Sequence, residues 1–200
     1  MKRIRIWNDD PSEKQLREVA DALSEGEIMI YPTDTIYAIG CNALDAKAVE
    51  RICRIKGINP DKTNLSVICD SISTAARYAR FDNRQFEMLR ANTPGPFTFL
   101  FRAASSLPKA FKGRKTVGIR IPDCNFDRKL VETAGFPILS TSVEFDDSDY
   151  TVNPDLIAEE AEGIVDLLVD GGEGGTEEST VVDCTGSEAE IVRQGKSELQ

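Results

Sequence analysis

Three short segments gather side chains able to bind and polarise a small ligand. Thr33, Asp34 and Thr35 follow the apolar run at 28–31, inside the stretch IMIYPTDTIYAIGC. Ser140, Thr141 and Ser142 close FPILSTS, and Ser179 and Thr180 open STVVDC. Hydroxyls at strand ends suit phosphates or a small polar ligand. Singly, each segment reads equally as turn capping by Ser and Thr; the three together favour a site. Cations could complete it. Lys56 ends a helical stretch, where it also suits the helix dipole. Arg120 alternates with apolar residues in VGIRIP, and a guanidinium projecting from a sheet calls for a carboxylate or phosphate. Arg193, in IVRQG, is placed in the same way.

Other chemistries lack their residues. The chain has no histidine, which removes the usual nucleophile–base dyads. Five cysteines, at 41, 53, 69, 124 and 184, form no C-x-x-C pair, so no Cys/His metal site is expected. Their scatter suits reduced, buried thiols in a cytoplasmic protein. Neither a Walker A sequence nor G-x-G-x-x-G is present. GRKT at 113–116 and GGEGG at 171–175 only echo them, so a nucleotide would be held in some other way. The net charge of −10 argues against a broad electrostatic grip on nucleic acid. A local basic groove stays open, because most Lys and Arg fall within 51–115, while the acidic stretch 144–190 reads as solubility. The start, MKRIRIWNDD, lacks the apolar region of a signal peptide. No apolar run reaches the ~18 residues of a membrane span.

These side chains need elements to hold them. The 200 residues suit one domain over 1–200. NDDPSEKQLREVADALSEG reads as a helix with Asp10 as cap, Pro11 in its first turn, Glu13 at the capping-box spacing and Gly26 as stop. Leu16, Val19, Ala20 and Leu23 form its apolar face. A strand at 27–31 follows, then the polar turn. DAKAVERICRIKG, STAARYAR, NRQFEMLRAN, CNFDRKLVETAG and NPDLIAEEAEG read as helices. NLSVIC, FTFLFRA, TVGIRIP, FPILSTS, IVDLLVDGG, STVVDC and EIVRQG read as strands. TPGP at 93–96 is a rigid turn, and GGEGGTEE at 171–178 is expected to be a flexible loop. The alternation predicts an α/β or α+β domain around a twisted open mixed sheet flanked by helices.

In chain order, YPTDTIYAIGC, the helix end at Lys56, TPGPFTFLF, TVGIRIP, ILSTS, STVVDC and IVRQG resemble the YrdC/TsaC family, the L-threonylcarbamoyladenylate synthases. The resemblance covers about residues 10–197 and is nearest to the shorter YciO-like branch. It implies a YrdC-like α/β fold with a concave groove. It implies an enzyme that joins L-threonine, bicarbonate and ATP into threonylcarbamoyl-AMP and releases pyrophosphate, for threonylcarbamoylation of tRNA adenosine 37. Thr35, Arg120, Ser140 and Ser179 would then face threonine, and Lys56, Thr116, Ser142 and Arg193 the nucleotide. Lys56 and Arg120 would be catalytic through charge neutralisation, with no covalent intermediate. Mg2+ would come with ATP as substrate, with no tightly bound cofactor. Double-stranded RNA or tRNA is the further partner the resemblance implies.

Three positions depart from the family pattern. Ile58 stands where an arginine usually follows the lysine by two, which removes a guanidinium from the triphosphate side; Lys62 is the candidate replacement. Asn64-Leu65 replaces Pro-Leu. Ser142-Val143-Glu144 replaces Ser-x-Asn, and Glu144 repels phosphate unless it faces a cation. Two alternatives therefore stand beside the synthase. One is a YciO-like paralogue that binds RNA, should the basic residues of 51–62 and 109–115 converge on the groove. The other is an enzyme for a different small acid or nucleotide on the same scaffold.

Overall fold

The computed structural model describes residues 1–59, 65–105, 107, 111, 114–145 and 151–200. Among these described residues, eleven strands form one mixed sheet: β1 Lys2–Arg5, β2 Met29–Tyr31, β3 Ala38–Asn42, β4 Ser66–Ile68, β5 Ala79–Arg80, β6 Phe97–Ala103, β7 Thr116–Arg120, β8 Ile138–Ser142, β9 Leu167–Asp170, β10 Thr180–Asp183 and β11 Glu190–Arg193. The helices are α1 Glu13–Ser24, α2 Ala46–Ile55, α3 Ile72–Tyr78, α4 Asn83–Asn92, α5 Asn125–Ala134 and α6 Pro154–Glu160. Strand order is β1-β9-β2-β3-β8-β4-β7-β6-β10-β11, with β5 paired to β6. The predicted α/β class with a mixed sheet is what the chain adopts. No helix among the described residues is long and apolar enough to cross a membrane.

Alternation along each strand sorts side chains onto two faces. Val67, Phe99, Phe101, Val117, Ile119 and Leu139 point to one face, where Val49 and Ile52 of α2, Ala75 of α3, Leu89 of α4 and Ile157 of α6 cover them. The opposite face begins apolar. Ile4, Met29, Tyr31, Ile68, Ile138, Leu167 and Val169 pack there under Leu16, Val19 and Leu23 of α1 and Phe126, Leu130 and Val131 of α5. Farther across, the same face turns polar or small, at Ser66, Thr98, Gly118, Arg120 and Ser140. Such a strip gives an amphipathic helix little to bury, and it becomes the floor of a groove. The sequence ILSTS records the switch: Ile138 lies under a helix, Ser140 and Ser142 lie in the groove, and Leu139 faces the other core.

Several sequence expectations are corrected. The helix over STAARYAR stops at Tyr78, because Ala79 and Arg80 pair with Ala103 and Arg102. Helix α1 is capped by Ser12, not Asp10, and Gln15, not Glu13, closes the capping box. Besides β5, two further strands are not read from sequence. β3 pairs antiparallel with β2, and β1 pairs parallel with β9. Strand β1 is held at its end by Arg3, which donates from Nε and Nη2 to the fully buried Asp170 (3.1 and 2.8 Å).

Helix α5 has an unusual cap. Cys124, at its N-cap, makes no side-chain capping bond. Asp9 does so from far upstream: the Phe126 amide donates to Asp9 Oδ1 at 2.7 Å and the Asn125 amide to Oδ2. Asp9 adopts a left-handed backbone, φ +52°, to reach it. Asp9→Gly keeps that φ accessible and removes the acceptor. We expect it to cost about 1–2 kcal/mol, or roughly 2–8 °C in thermal unfolding, with Asp9→Asn near wild type.

Candidate functional site

The groove encloses about 330 Å3. Of the side chains singled out from sequence, Thr35, Arg120, Ser140, Ser142, Ser179 and Arg193 line it. Lys56 and Thr116 are not among its lining residues. Thr116 shares the Arg120 face of β7 but stands at the other end of the strand.

The polar turn joins β2 to β3, and it is both a tight turn and a wall of the groove. Thr33 ties the turn: its hydroxyl donates to the Ile36 carbonyl at 2.7 Å and accepts from the Thr35 amide at 3.1 Å. The Thr33 and Thr35 hydroxyls lie 2.9 Å apart. Since Thr33 spends its proton on Ile36, Thr35 is the donor of that pair. Arg120 Nη2 then donates to Thr35 Oγ1 at 3.2 Å. A hydroxyl has one proton and two lone pairs, so Thr35 meets the groove as an acceptor. Ser140 has the opposite polarity. The Tyr31 hydroxyl donates to Ser140 Oγ at 2.6 Å, which leaves the serine proton free to donate into the groove. Burial pushes the Tyr31 phenol far above its ordinary pKa, so it stays a donor.

Arg120 is fixed by Asp34. Nη2 donates to Asp34 Oδ1 at 2.7 Å, and the Asp123 amide donates to Oδ2 at 2.9 Å. Both side chains of the pair are more than nine-tenths buried. On the far wall, the Thr98 and Ser179 hydroxyls are 2.8 Å apart. Arg193 donates to the Ser179 carbonyl from Nε and Nη2 and pairs with Glu178 at 2.7 Å. Lys196 was not predicted; its Nζ reaches the Asp34 carbonyl at 2.6 Å. No local pattern signals it, since its partner lies 162 residues away. Tyr31 and Thr98 were also missed. Their sign is positional: each alternates with residues of the covered face.

Lys56 lies behind the end of β8. Its Nζ donates to the Ser142 carbonyl at 2.9 Å and pairs with Glu144 at 3.0 Å. Lys56 and Glu144 border a small apolar cavity of about 110 Å3 with Ile30, Ile39 and Val165. Glu144 thus faces a cation, the arrangement in which its charge is not repulsive. Ile58 packs partly buried against the core. Lys62, Asn64, Lys109 and Lys112 lie outside the described residues. Among the described residues, no group of Cys, Asp and Glu forms a metal-binding cluster. All five cysteines are free and buried, and burial raises each thiol, which makes them poor nucleophiles.

An open mixed sheet with one polar strip left uncovered defines an α/β protein with a polar groove on one face. The chain belongs to the Sua5/YciO/YrdC family, whose model, described as "Telomere recombination", matches residues 21–195. It is similar to YciO of Escherichia coli, 34% identical over 98% of this chain and 96% of that one. The crystal structure of E. coli YciO aligns with a TM-score of 0.92, covering 100% of this chain and 98% of YciO. The threonylcarbamoyl-AMP synthase of Pyrococcus abyssi is 31% identical over 99% of this chain and 57% of the enzyme. P. abyssi Sua5 complexed with L-threonine aligns with a TM-score of 0.87 at 30% identity, over 98% of this chain and 58% of that one.

Proposed function

We propose that this protein is a cytoplasmic enzyme of the L-threonylcarbamoyladenylate synthase type, acting as a single domain over 1–200. It would convert L-threonine, bicarbonate and ATP to threonylcarbamoyl-AMP and pyrophosphate, for modification of tRNA adenosine 37. The hydrogen-bond polarity of the groove carries this reading. The Arg120 guanidinium suits a carboxylate, the Thr35 acceptor beside it suits an ammonium or amine, and the Ser140 donor suits a further ligand oxygen. That set complements an amino acid. Similarity to a synthase and to a threonine-bound relative supports it.

Threonine held this way would present its nitrogen to bicarbonate or CO2. The resulting carbamate would attack the α-phosphorus of ATP, with pyrophosphate as leaving group. The protein's work is positioning and charge neutralisation. Mg2+ would enter as the counterion of ATP. Ser142 lines the groove beside the turn, paired with Ala38 of β3, and Ser179 and Arg193 line the far wall; on this reading Ser179 serves threonine while Ser142 and Arg193, with Thr116, serve the nucleotide. Lys56 would have to leave Glu144 to reach a phosphate. Glu144→Asn should therefore lower the KM for ATP by about two- to fivefold, the value of an ion pair whose carboxylate is solvent-exposed, with kcat little changed. An unchanged or higher KM, from initial rates across ATP concentrations, would place Lys56 away from the nucleotide.

The direct test is pyrophosphate release with ATP, Mg2+, bicarbonate and L-threonine. Threonine-dependent release that disappears in Lys56→Ala supports the synthase. Release only with another amino or hydroxy acid transfers the reading to that acid. No release, beside an active control synthase, overturns it and leaves RNA binding as the alternative. Arg120 and Arg193, which line the groove, each pair with a carboxylate, which weighs against RNA there.

A further inference from the structure

Arg120 is only partly partnered. Its Nη2 serves Asp34 and Thr35, but its buried Nε–H has no acceptor among the described residues. A second buried group is in the complementary state. Asp127, on the sheet-facing side of α5, is 1% exposed, and neither carboxyl oxygen has a hydrogen-bond partner among the described residues. The Cys124 thiol, a weak donor within reach, is directed at Asp9 instead (3.5 Å). Buried polar groups are rarely left unmet, because each then carries its full desolvation cost. Here a donor and an acceptor pair are unmet within electrostatic reach of one another, and the proposed reaction uses neither the Nε edge nor Asp127.

The groups facing Asp127 come from several elements. Arg120 faces it from β7, Asp34 from the turn, Asp9 from the segment before α1, the Tyr31 hydroxyl from β2 and the Cys124 thiol from the start of its own helix. Helix α1, which packs on α5, turns only Leu16, Val19, Ala20 and Leu23 inward. Arg120 is the one cation of this set, and Asp34 already holds it. Burial raises the Asp127 carboxyl well above the ordinary carboxylate range, against the pull of Arg120 and of the nearby Cys124 thiol and with the push of Asp34 and Asp9.

We propose that Asp127 is a positioning residue for the groove, the second and switchable carboxyl partner of Arg120. Protonated, it leaves the guanidinium to Asp34 and to a small carboxylate ligand. Ionised, it draws the Nε edge inward and competes with that ligand. The ligand half of this proposal rests on the amino-acid reading of the groove. The sign follows from linkage. The ligand-binding state is the protonated one, so affinity falls as pH rises through the ionisation of Asp127.

Two measurements test the proposal. The first needs no ligand: the Arg120 Nε–H resonance is followed by nitrogen–proton correlation NMR and assigned by its loss in Arg120→Lys. As pH is raised across the range in which the protein stays folded, it should move downfield in the wild type and stay fixed in Asp127→Asn. A pH-independent wild-type resonance overturns the proposal, and that result needs no variant to fold. The second is the Kd of L-threonine by calorimetry over the same range. The wild type should lose up to about tenfold per pH unit beyond the ligand's own amine titration, and Asp127→Asn should not. Identical profiles in the two proteins overturn the link between Asp127 and binding. Absence of threonine binding at every pH counts against the amino-acid reading, and the resonance then decides the role of Asp127 alone.

Discussion

Arg120→Ala should abolish threonine-dependent activity and also lower the melting temperature by roughly 6–20 °C. The second effect comes from what the substitution leaves behind. Asp34 is 6% exposed at its side chain and retains only the Asp123 amide as a donor once the guanidinium is gone. Breaking one side of a buried ion pair costs about 3–5 kcal/mol, mostly from the stranded charge, and each kcal/mol is worth about 2–4 °C in a chain of this size. Removing both charges should cost less than removing one. Asp34→Ala/Arg120→Ala is therefore expected to be more stable than Arg120→Ala alone, while remaining inactive. Arg120→Lys should recover part of the stability, because a cation stays near Asp34. It should not recover threonine binding, because a lysine cannot serve Asp34, Thr35 and a ligand carboxylate from one planar fork. Thermal unfolding of the four proteins, with threonine titrations, checks the series. A double variant no more stable than Arg120→Ala would show that the stranded Asp34 charge is not the source of the loss.

The alternation that made Arg120 conspicuous is also what the fold uses. TVGIR sends Val117 and Ile119 into one core and Gly118 and Arg120 to the groove, and ILSTS divides in the same way. Residues whose position depends on strand parity were therefore legible. Residues whose role depends on a distant partner were not. Lys56 was placed correctly at its helix end, but its ammonium is directed by Glu144 and the Ser142 carbonyl, far along the chain. Asp9 looks like a turn residue until α5 is set beside it, and Lys196 looks like a surface charge until it meets the Asp34 carbonyl. Strand β1 was missed because its arginines read as solvated, whereas Arg3 is drawn in by a buried carboxylate on β9. Strand β3 was missed because it follows the polar turn at once, and its groove side holds only Ala38 and Gly40.

The stretch 171–178 reads from sequence as a flexible loop, and the packing of its glycines at 171–175 predicts the second large effect. A Cβ at Gly171 would meet the Pro32 ring at 2.7 Å, and one at Gly174 would meet the Tyr37 ring at 2.6 Å. One at Gly175 would overlap the Thr35 carbonyl oxygen. The stretch is also tied down: the Gly171 amide donates to the Tyr37 hydroxyl at 3.0 Å, and that hydroxyl donates to the Gly172 carbonyl at 2.8 Å. The glycines let this backbone lie against the turn that carries Thr33, Asp34 and Thr35. Gly175→Ala must push that turn toward the groove. The overlap should cost about 1–3 kcal/mol in stability. A displacement near 1 Å at a substrate-positioning residue should cost about a hundredfold in kcat/KM for threonine. Gly172→Ala separates the two effects. Its φ is +89°, but a Cβ there meets nothing within 4 Å. It should lose about 1–2 kcal/mol to backbone strain, with threonine kinetics unchanged. Equal kinetic losses in the two variants would mean that the segment acts through general destabilisation. A loss confined to Gly175→Ala would make the contact between this stretch and the Thr35 carbonyl the device that sets the shape of the groove wall.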